Sequence, residues 1–486
     1  MDLLLSHGYF LDEDAHERKI MRPYPPLGLL YIAAHLKQRD LEVEVFDTTF
    51  SSRAEFNVYL RRHRPPIVGL YANLMTRTNV LGMIRACKAN GCLVVVGGPE
   101  PANYAEEYLQ WGADVVVEGE GEVTLEELIP HLLEVGPRQM EEIDGIIYRD
   151  AEGRAKEDDR SSRQGGVSRR NMIRTPPRQQ IVDLDAQPFP DRDAIDINKY
   201  VDSWRNYHGR GSVSLITARG CPFQCKWCSH DVFGFTHRRR SPENVADELQ
   251  LIVDTCQPDM VWYADDVFTI DHKWIHAYAG ELNRRRLKIP FETISREDRL
   301  DEAMVERLAE MGCFRLWIGS ESGSQRVLEA MKRRTNAARV REMVKLLQAH
   351  GIEAGLFIML GYDGEQVEDI EATVEHLKAA APDQLLTTIA YPIKGTPYYD
   401  EVDDRIFSTS EWSKSSDRDL SVQGRHSQRF YRFATRWMVS EVAWYRQRLS
   451  DRPNYPRLVK AFLSARIGRV GMYLTKHEEE TPASVY

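Results

Sequence analysis

Two stretches of this chain alternate short apolar runs with amphipathic helical patterns, and this alternation limits the possible folds more than any other feature. In the first stretch the apolar runs cover residues 2–6, 42–46, 66–70, 93–97 and 114–118. In the second stretch they cover residues 212–217, 260–263, 291–294, 314–318, 355–360 and 385–389. Continuous apolar strands separated by helices are typical of parallel sheets that are buried on both faces. We therefore predict an α/β protein.

The length of 486 residues exceeds one ordinary domain. We predict a Rossmann-like domain at 1–140, a hairpin and linker at 141–200, a partial (β/α)6 TIM-like barrel at 201–400, and a basic, mainly helical C-terminal region at 401–486. Charged, Ser and Gly residues dominate 154–180, which indicates a linker. Ligands of both kinds of sheet bind beyond the carboxyl ends of the strands.

The composition, with 42% apolar and 28% charged residues, is that of a globular protein. A formal net charge of −10 does not favour a nucleic-acid partner. The sequence opens without a signal-peptide pattern and contains no long apolar run, so we expect a cytoplasmic protein.

Three of the seven cysteines form a C-x3-C-x2-C motif directly after the first strand of the second stretch: Cys221, Cys225 and Cys228. Clustered thiolates favour a soft metal centre. Three ligands suit a 4Fe–4S cluster with one open iron, whereas structural zinc needs four. A zinc knuckle completed by His230 or Cys256 is the alternative. The other four cysteines lack ligand spacing and are expected to be small core residues.

Loops rich in Gly and Pro follow the strands of the first stretch, at residues 24–28, 71–78, 97–100 and 118–122. Glycines there allow a ligand to approach the backbone, although each loop alone could simply turn the chain. Four such loops at one sheet edge favour a large ligand. None has a dinucleotide-binding or P-loop pattern.

The cysteine motif, with Trp227 before its last cysteine, resembles the signature of radical S-adenosylmethionine (SAM) enzymes. Pro-Pro-Leu-Gly at 25–28, Gly-Gly-Pro at 97–99 and Glu-Gly-Glu-Gly-Glu at 118–122 resemble the cobalamin-binding domain that precedes some of these barrels. Residues 1 to about 400 are thus similar to the cobalamin-dependent radical SAM enzymes of the class B methylase-like kind.

The resemblance implies three cofactors: a 4Fe–4S cluster on the three cysteines, SAM on the open iron, and cobalamin. It implies reductive cleavage of SAM to a 5′-deoxyadenosyl radical and C-methylation of a small-molecule or lipid-like substrate. It further implies an external one-electron donor of the flavodoxin or ferredoxin type.

The resemblance also implies ligands for the two organic cofactors. The SAM residues would be Trp227, Asp265, Asp266, Ser295, Arg296, Glu321 and Leu360. The cobalamin residues would be Leu27, Asn73, Leu74, Met75, Thr78, Gly97, Gly98, Glu118 and Gly119. His16 lies in a segment without the closing glycine of an axial-histidine motif, so we expect a solvated loop residue, with axial ligation of the cobalt as the alternative. Caps, surface ion pairs and turns remain the alternative roles for the polar residues.

Two basic segments allow more than one interpretation. The run at 237–240 is expected to be a solvated face, or else an anchor for an anionic group. Between Arg425 and Lys476 the chain has twelve Lys or Arg against Glu441 and Asp451, with interspersed aromatic residues. This pattern favours a helical cap on the barrel, with a surface for anionic lipid headgroups or a phosphorylated lipid-like substrate as the alternative.

Three other functions stay open at this stage. Ring closure or rearrangement would use the same cofactors. An RNA methylthiotransferase-like enzyme would need three more cluster cysteines, which Cys87 and Cys92 cannot supply. A non-enzymatic cobalamin or redox sensor would not need a SAM-cleaving barrel.

Overall fold

The computed structural model describes residues 1–149, 172–230, 232–449 and 453–481. Residues 154–171 of the predicted linker at 154–180 therefore lie outside the described residues. Two large sheets, each covered by helices, account for the two alternating stretches of the sequence.

The first sheet has the strand order β2-β1-β3-β4-β5-β6-β7, and β1 to β5 run parallel. Alternate side chains enter two apolar clusters, one on each face, as the continuous apolar runs predict. The strands are β1 Leu3–His7, β2 Val43–Phe46, β3 Ile67–Tyr71, β4 Leu93–Gly97, β5 Val115–Val117, β6 Ile146–Arg149 and β7 Met172–Arg174. The helices are α1 Glu17–Ile20, α2 Leu27–Lys37, α3 Arg53–His63, α4 Arg77–Ala89, α5 Ala105–Gln110 and α6 Gly121–Glu134.

The antiparallel strands β6 and β7 extend the first sheet beyond β5. Strand β6 lies in the region predicted as a hairpin and linker at 141–200, of which residues 150–171 lie outside the described residues. Because β7 belongs to the same sheet, we propose that the first domain extends to Arg174.

The second sheet contains six parallel strands in chain order, β8-β11-β12-β13-β14-β15, which is the predicted partial barrel. Its outer face packs against helices in one continuous core cluster. The strands are β8 Ser212–Leu215, the short pair β9 Ala218–Arg219 and β10 Arg238–Arg239, then β11 Met260–Tyr263, β12 Phe291–Ser295, β13 Cys313–Glu321, β14 Glu353–Leu360 and β15 Gln384–Ile389. The helices are α7 Ile197–His208, α8 Pro242–Cys256, α9 His272–Arg285, α10 Glu302–Met311, α11 Gln325–Ala330, α12 Ala337–Ala349 and α13 Val367–Ala380.

The C-terminal region contains α14 Pro397–Val402, a small pair formed by β16 Ile406–Phe407 and β17 Ser421–Val422, and the long helices α15 Gln428–Leu449 and α16 Tyr455–Thr475. Phe430, Tyr431 and Trp437 of α15 are buried in the barrel core cluster. The predicted helical cap is therefore confirmed for α15. Within the described residues, no helix has both the length and the apolar character needed to cross a bilayer.

The four cysteines outside the motif, namely Cys87, Cys92, Cys256 and Cys313, are all buried, as predicted for small core residues.

Candidate active site

The cysteine motif lies in a loop whose base is closed by the antiparallel β9–β10 pair. Gly220 enters the loop with a φ of +86°, and a Cβ there would lie 2.3 Å from Thr236 O. Lys226 N donates to Met331 O at 3.1 Å, and Tyr398 N donates to Lys226 O at 2.9 Å. Backbone contacts from three parts of the barrel domain thus hold the loop in place.

Cys225 is buried in this loop, and Cys221 and Cys228 are half-buried. Burial raises the pKa of Cys221 to about 11 and also raises the pKa of the other two thiols. Arg333 Nη1 donates to Cys225 Sγ at 3.7 Å, so a cation lies where a thiolate would form. Three clustered soft donors fit a 4Fe–4S cluster with one open iron. Among the described residues, no three Cys, His, Asp or Glu side chains are grouped closely enough to hold a single metal ion.

Two acidic residues follow β11 and have different surroundings. Asp265 is buried, accepts the N–H of Thr217 at 2.7 Å and pairs with Arg239 at 3.2 Å. Asp266 lies on the wall of a cavity between the two domains, and desolvation there raises its pKa. Of these two predicted SAM residues, Asp266 is the one whose carboxylate opens onto the cavity.

Ser295 ends β12 and Arg296 follows it directly, and each is 1% exposed. Ser295 Oγ forms a hydrogen bond with Thr269 Oγ1. The Arg296 guanidinium lies over the ring of Phe223 in the cysteine loop, 3.9 Å from its centroid. Arg296 Nη1 is buried without an acceptor among the described residues. Buried donors rarely stay unpaired, so the carboxylate of a bound ligand fits this position.

Glu321 ends β13 with a φ of +61°, and the register with β14 shifts next to it. The side chain is 4% exposed, and burial raises its pKa to about 8. Arg333 is its cation partner at 3.6 Å. A non-glycine residue in this conformation costs about 1–3 kcal/mol, and such residues cluster at functional sites. The backbone therefore marks Glu321 independently of the sequence motif.

Two apolar residues of the predicted SAM set are packed against other side chains. Trp227 contacts an apolar cluster that includes Met359 and Tyr362. Leu360 is fully buried in the core between strands and helices. Because strand side chains alternate between faces, Leu360 points away from the barrel interior, and only its backbone remains a candidate contact.

The cavity between the first sheet and the cysteine loop has a volume of about 910 Å³. Six of the predicted cobalamin residues line it: Leu27, Asn73, Met75, Gly97, Gly98 and Gly119. Ser229, His230 and Asp266 line it from the barrel domain. The cavity therefore lies between the predicted cobalamin residues and the loop that carries the three cysteines.

Three predicted cobalamin residues, Leu74, Thr78 and Glu118, lie outside the cavity lining. Glu118 instead pairs with Arg174 of β7 at 2.8 Å. His16 is exposed and also lies outside the lining, which confirms a solvated loop residue.

Gly98 has a φ of +115°, and a Cβ there would lie 2.3 Å from Ala72 O. No other residue fits without strain, so the backbone itself forms this part of the cavity wall. That surface suits a broad planar group that approaches the main chain closely.

Arg219 connects the two domains at the cavity, a role that the sequence reasoning missed. Its guanidinium pairs with Glu120 and Glu122 of the first domain, each at 2.7 Å, and all three side chains are at most 7% exposed. Arg238 binds the second oxygen of Glu120 at 2.7 Å. We call these four residues the interdomain clamp. The sequence does contain one indication of this contact, namely opposite charge. The loop at 118–122 is acidic, and an arginine directly precedes Gly220 and Cys221.

The prediction of a solvated face at 237–240 is wrong. Arg238 belongs to the interdomain clamp, Arg239 donates to Phe268 O at 2.7 Å, and Arg240 pairs with the fully buried Glu248. Each guanidinium therefore donates to an acceptor within the protein, because pairing of β10 with β9 directs this segment toward the interior.

Curated relatives cover most of the chain. It is 27% identical to the uncharacterized methyltransferase PH0819 of Pyrococcus horikoshii, over 85% of this chain and 86% of the relative. It is 27% identical to cytidylyl-2-hydroxyethylphosphonate methyltransferase of Streptomyces wedmorensis, over 76% of each chain. It is 23% identical to anaerobic magnesium-protoporphyrin IX monomethyl ester cyclase of a Synechocystis strain, over 77% of this chain and 72% of the relative.

Solved structures share the fold. The cobalamin-dependent SAM radical enzyme OxsB with aqua-cobalamin bound matches with a TM-score of 0.70 and 16% identity, over 97% of this chain and 72% of OxsB. The radical SAM methyltransferase TsrM from Kitasatospora setae, with tryptophan substrate and a SAM analog bound, matches with a TM-score of 0.66 and 19% identity, over 84% of this chain and 78% of TsrM.

Two family models match the two sheets in turn. The B12 binding domain matches residues 18–129, and the Radical SAM superfamily matches residues 215–377. These ranges contain the glycine-rich loops and the cysteine loop that face each other across the cavity. The chain is an enzyme that belongs to the cobalamin-dependent radical SAM family, and its cofactors are a 4Fe–4S cluster, SAM and cobalamin.

Proposed function

We propose that this enzyme methylates an unactivated carbon of a small-molecule or lipid-like substrate. The observation that carries the proposal is the shared cavity, because one space is lined by Gly97 and Gly119 from the first domain and by His230 and Asp266 from the barrel. Radical formation and group transfer can thus take place without release of an intermediate to water.

The cysteine loop would hold the iron–sulfur cluster through Cys221, Cys225 and Cys228. When bound, the cluster and SAM together supply a radical that can abstract hydrogen from an unactivated carbon. Arg333 keeps a positive charge beside Cys225, at 3.7 Å from its Sγ, which stabilises a thiolate there.

The residues around the open iron would position SAM. Arg296 offers the buried Nη1 to a carboxylate, and the position is fixed by its contact with Phe223. Asp266 offers a carboxylate to the amino group from the cavity wall. Glu321 offers a buried carboxyl group to hydroxyl or amino groups of the same ligand.

The first domain would hold cobalamin through backbone and short polar side chains. When bound there, cobalamin supplies a transferable methyl group. Gly98 lets the main chain approach the ring, and Asn73 is held by its own loop, since its Oδ1 accepts the N–H of Met75 at 3.0 Å. We further propose that an external donor of the flavodoxin or ferredoxin type supplies the reducing electron.

Anaerobic reconstitution with iron, sulfide, SAM and cobalamin tests the proposal. We expect 5′-deoxyadenosine from the full chain under reducing conditions, and none from Cys225→Ser. Cys256→Ser, a buried cysteine outside the motif, is the matched control and should retain cleavage. Absence of 5′-deoxyadenosine from the reconstituted wild type would contradict the proposal.

Mass analysis of small-molecule extracts incubated with the enzyme identifies the outcome. A product that gains one CH2 unit supports methylation. Ring closure is the second candidate, and the similarity to the cyclase from Synechocystis favours it. A product that loses two hydrogen atoms without gaining carbon would decide for ring closure.

A further inference from the structure

Helix α16 buries its small side chains and exposes its large aliphatic ones. Its buried positions are small or flexible, namely Ala465, Gly468, Gly471, Met472 and Thr475. A Cβ at Gly468 would lie 2.5 Å from Trp437 N, so α16 and α15 touch through their backbones. This close packing leaves the large apolar side chains of α16 on its outer face.

The outer face of α16 carries an aliphatic stripe at intervals of three or four residues: Val459, Leu463, Ile467, Val470 and Leu474. Their exposures run from 51% for Ile467 to 78% for Leu474. A helix that only capped the barrel would turn these residues inward. The stripe is therefore a continuous apolar surface that the described part of the chain leaves uncovered.

Aromatic and basic side chains border the stripe. On one side Arg466 lies over the ring of Phe462, and Arg469 lies over the ring of Tyr473. On the other side Lys460 is exposed, and Arg436 of α15 donates to Ser464 Oγ at 3.0 Å. Apolar residues flanked by aromatics and arginines are typical of helices that lie in a membrane interface.

Composition and charge distinguish three partners that could cover the stripe: a segment of this chain, a second copy and a membrane. The undescribed segment 150–171 has Val167 as its one large aliphatic residue, so its composition does not suit the stripe. A second copy placed by a two-fold axis would bring two strongly basic helix pairs together, which like charge opposes. An anionic bilayer surface complements both the charge and the apolar stripe.

We propose that α16 binds the surface of membranes rich in anionic lipids, with the aliphatic stripe in the acyl boundary and the exposed Arg457 and Lys460 on phosphate groups. Arg466 and Arg469 pair with Glu441 and Glu371 of the protein, at 2.9 and 3.3 Å. Within the basic region between Arg425 and Lys476, Phe430, Tyr431 and Trp437 of α15 face the barrel core, so the proposed surface lies on α16. It is independent of the reaction at the cavity.

Co-sedimentation of the reconstituted full chain with vesicles tests this site. We expect binding to vesicles of equal parts phosphatidylcholine and phosphatidylglycerol at low salt, and little binding to phosphatidylcholine alone. High salt should weaken binding, since charge attraction is screened.

The triple variant Leu463→Gln, Ile467→Gln and Leu474→Gln should lower the partition coefficient by about tenfold or more, because each residue loses apolar burial. Glutamine maintains helix propensity at these exposed positions. The double variant Leu133→Gln and Leu251→Gln changes exposed leucines on α6 and α8 and should bind as the wild type does. Unchanged melting and unchanged 5′-deoxyadenosine formation show that the triple variant is folded.

The double variant Lys460→Gln and Arg457→Gln leaves the stripe intact and should weaken binding at low salt by about fivefold for each charge removed. Three results would overturn the proposal. One is no binding of the wild type to the anionic vesicles at low salt. Another is equal binding by the triple variant. The third is a concentration-dependent dimer, without vesicle binding, that the triple variant abolishes.

Discussion

Glu365, in the loop after β14, is a fully buried carboxyl group whose environment makes its protonation state sensitive to pH. Its Oε2 accepts the N–H of Gly361, and its Oε1 has no hydrogen-bond partner among the described residues. Burial raises its pKa from 4.5 to about 8; Asp369 acts in the same direction, and Arg326 and Arg425 act against it. At neutral pH the folded protein therefore keeps most of this group protonated.

This raised pKa predicts how stability changes with pH. Between pH 4.5 and about 8 the unfolded chain has released the proton of Glu365, whereas the folded protein still holds it. Stability should therefore fall as pH rises through this interval, by up to about 1.4 kcal/mol per pH unit from this group. Glu365→Gln resembles the protonated acid and should remove that contribution.

The melting temperatures of the wild type and of Glu365→Gln, measured from pH 5 to pH 8.5, check this prediction. We expect the difference in favour of the variant to grow as pH rises. Glu368→Gln, on the exposed side of α13, removes one charge nearby and is the control for net charge. A constant difference between Glu365→Gln and the wild type across the range would refute the titration of Glu365.

At the scale of single residues, the sequence predicted roles best where spacing along the chain determines proximity in space. The three cysteines share one loop because the first and the last are only seven positions apart. The resemblance named Leu360 at the right strand end, but the alternation of strand side chains puts this side chain on the outer face. Asp265 was also placed at the right strand end, yet its carboxylate serves Thr217 and Arg239.

At the scale of elements, strands and helices followed from apolar periodicity, whereas contacts between elements did not. Each buried strand carries its own signal, so both sheets were predictable. The interdomain clamp joins Glu120 and Arg219, which are distant in sequence and belong to different domains. Opposite charges suggested attraction, but only the packing of β9 and β10 against the first domain determines which charges meet.

The interdomain clamp should be a strong source of stability at the cavity. Arg219→Gln leaves Glu122 buried without its cation, and removal of one partner of a buried pair costs about 3–5 kcal/mol. We expect a lower urea midpoint and loss of bound cobalamin and iron after gel filtration, because both cofactor loops meet at Arg219. Absorbance spectra and iron content measure the cofactors.

The exposed pair Arg205–Asp259 provides the matched control for Arg219→Gln. Its side chains are 40% and 44% exposed, and such surface pairs contribute about 0–1 kcal/mol. Arg205→Gln should therefore leave the urea midpoint and cofactor content nearly unchanged. If Arg219→Gln behaves like Arg205→Gln, the interdomain clamp does not hold the two cofactor loops together.

At the scale of the whole molecule, the C-terminal region also binds the first domain. Arg77 at the start of α4 pairs with Glu100 and, at 2.6 Å, with Asp417. Tyr104 donates to the same carboxylate at 2.7 Å, and Lys394 N donates to its second oxygen at 3.0 Å. The segment around Asp417 thus ties the end of the barrel domain to the first sheet, a long-range contact for which the sequence has no local pattern.

Asp417→Asn tests whether this contact makes the two domains unfold together. The variant keeps the size of the side chain but removes the charge that faces Arg77, and both partners are 2% exposed, so we expect a cost of about 3–5 kcal/mol. Calorimetry of the wild type should show one main transition, and the variant should show two, since the interface that couples the domains is weakened. Asp404→Asn, whose side chain is 85% exposed, is the control and should melt as the wild type does. A single, unshifted transition for Asp417→Asn would mean that the contact at Asp417 does not couple the unfolding of the two domains.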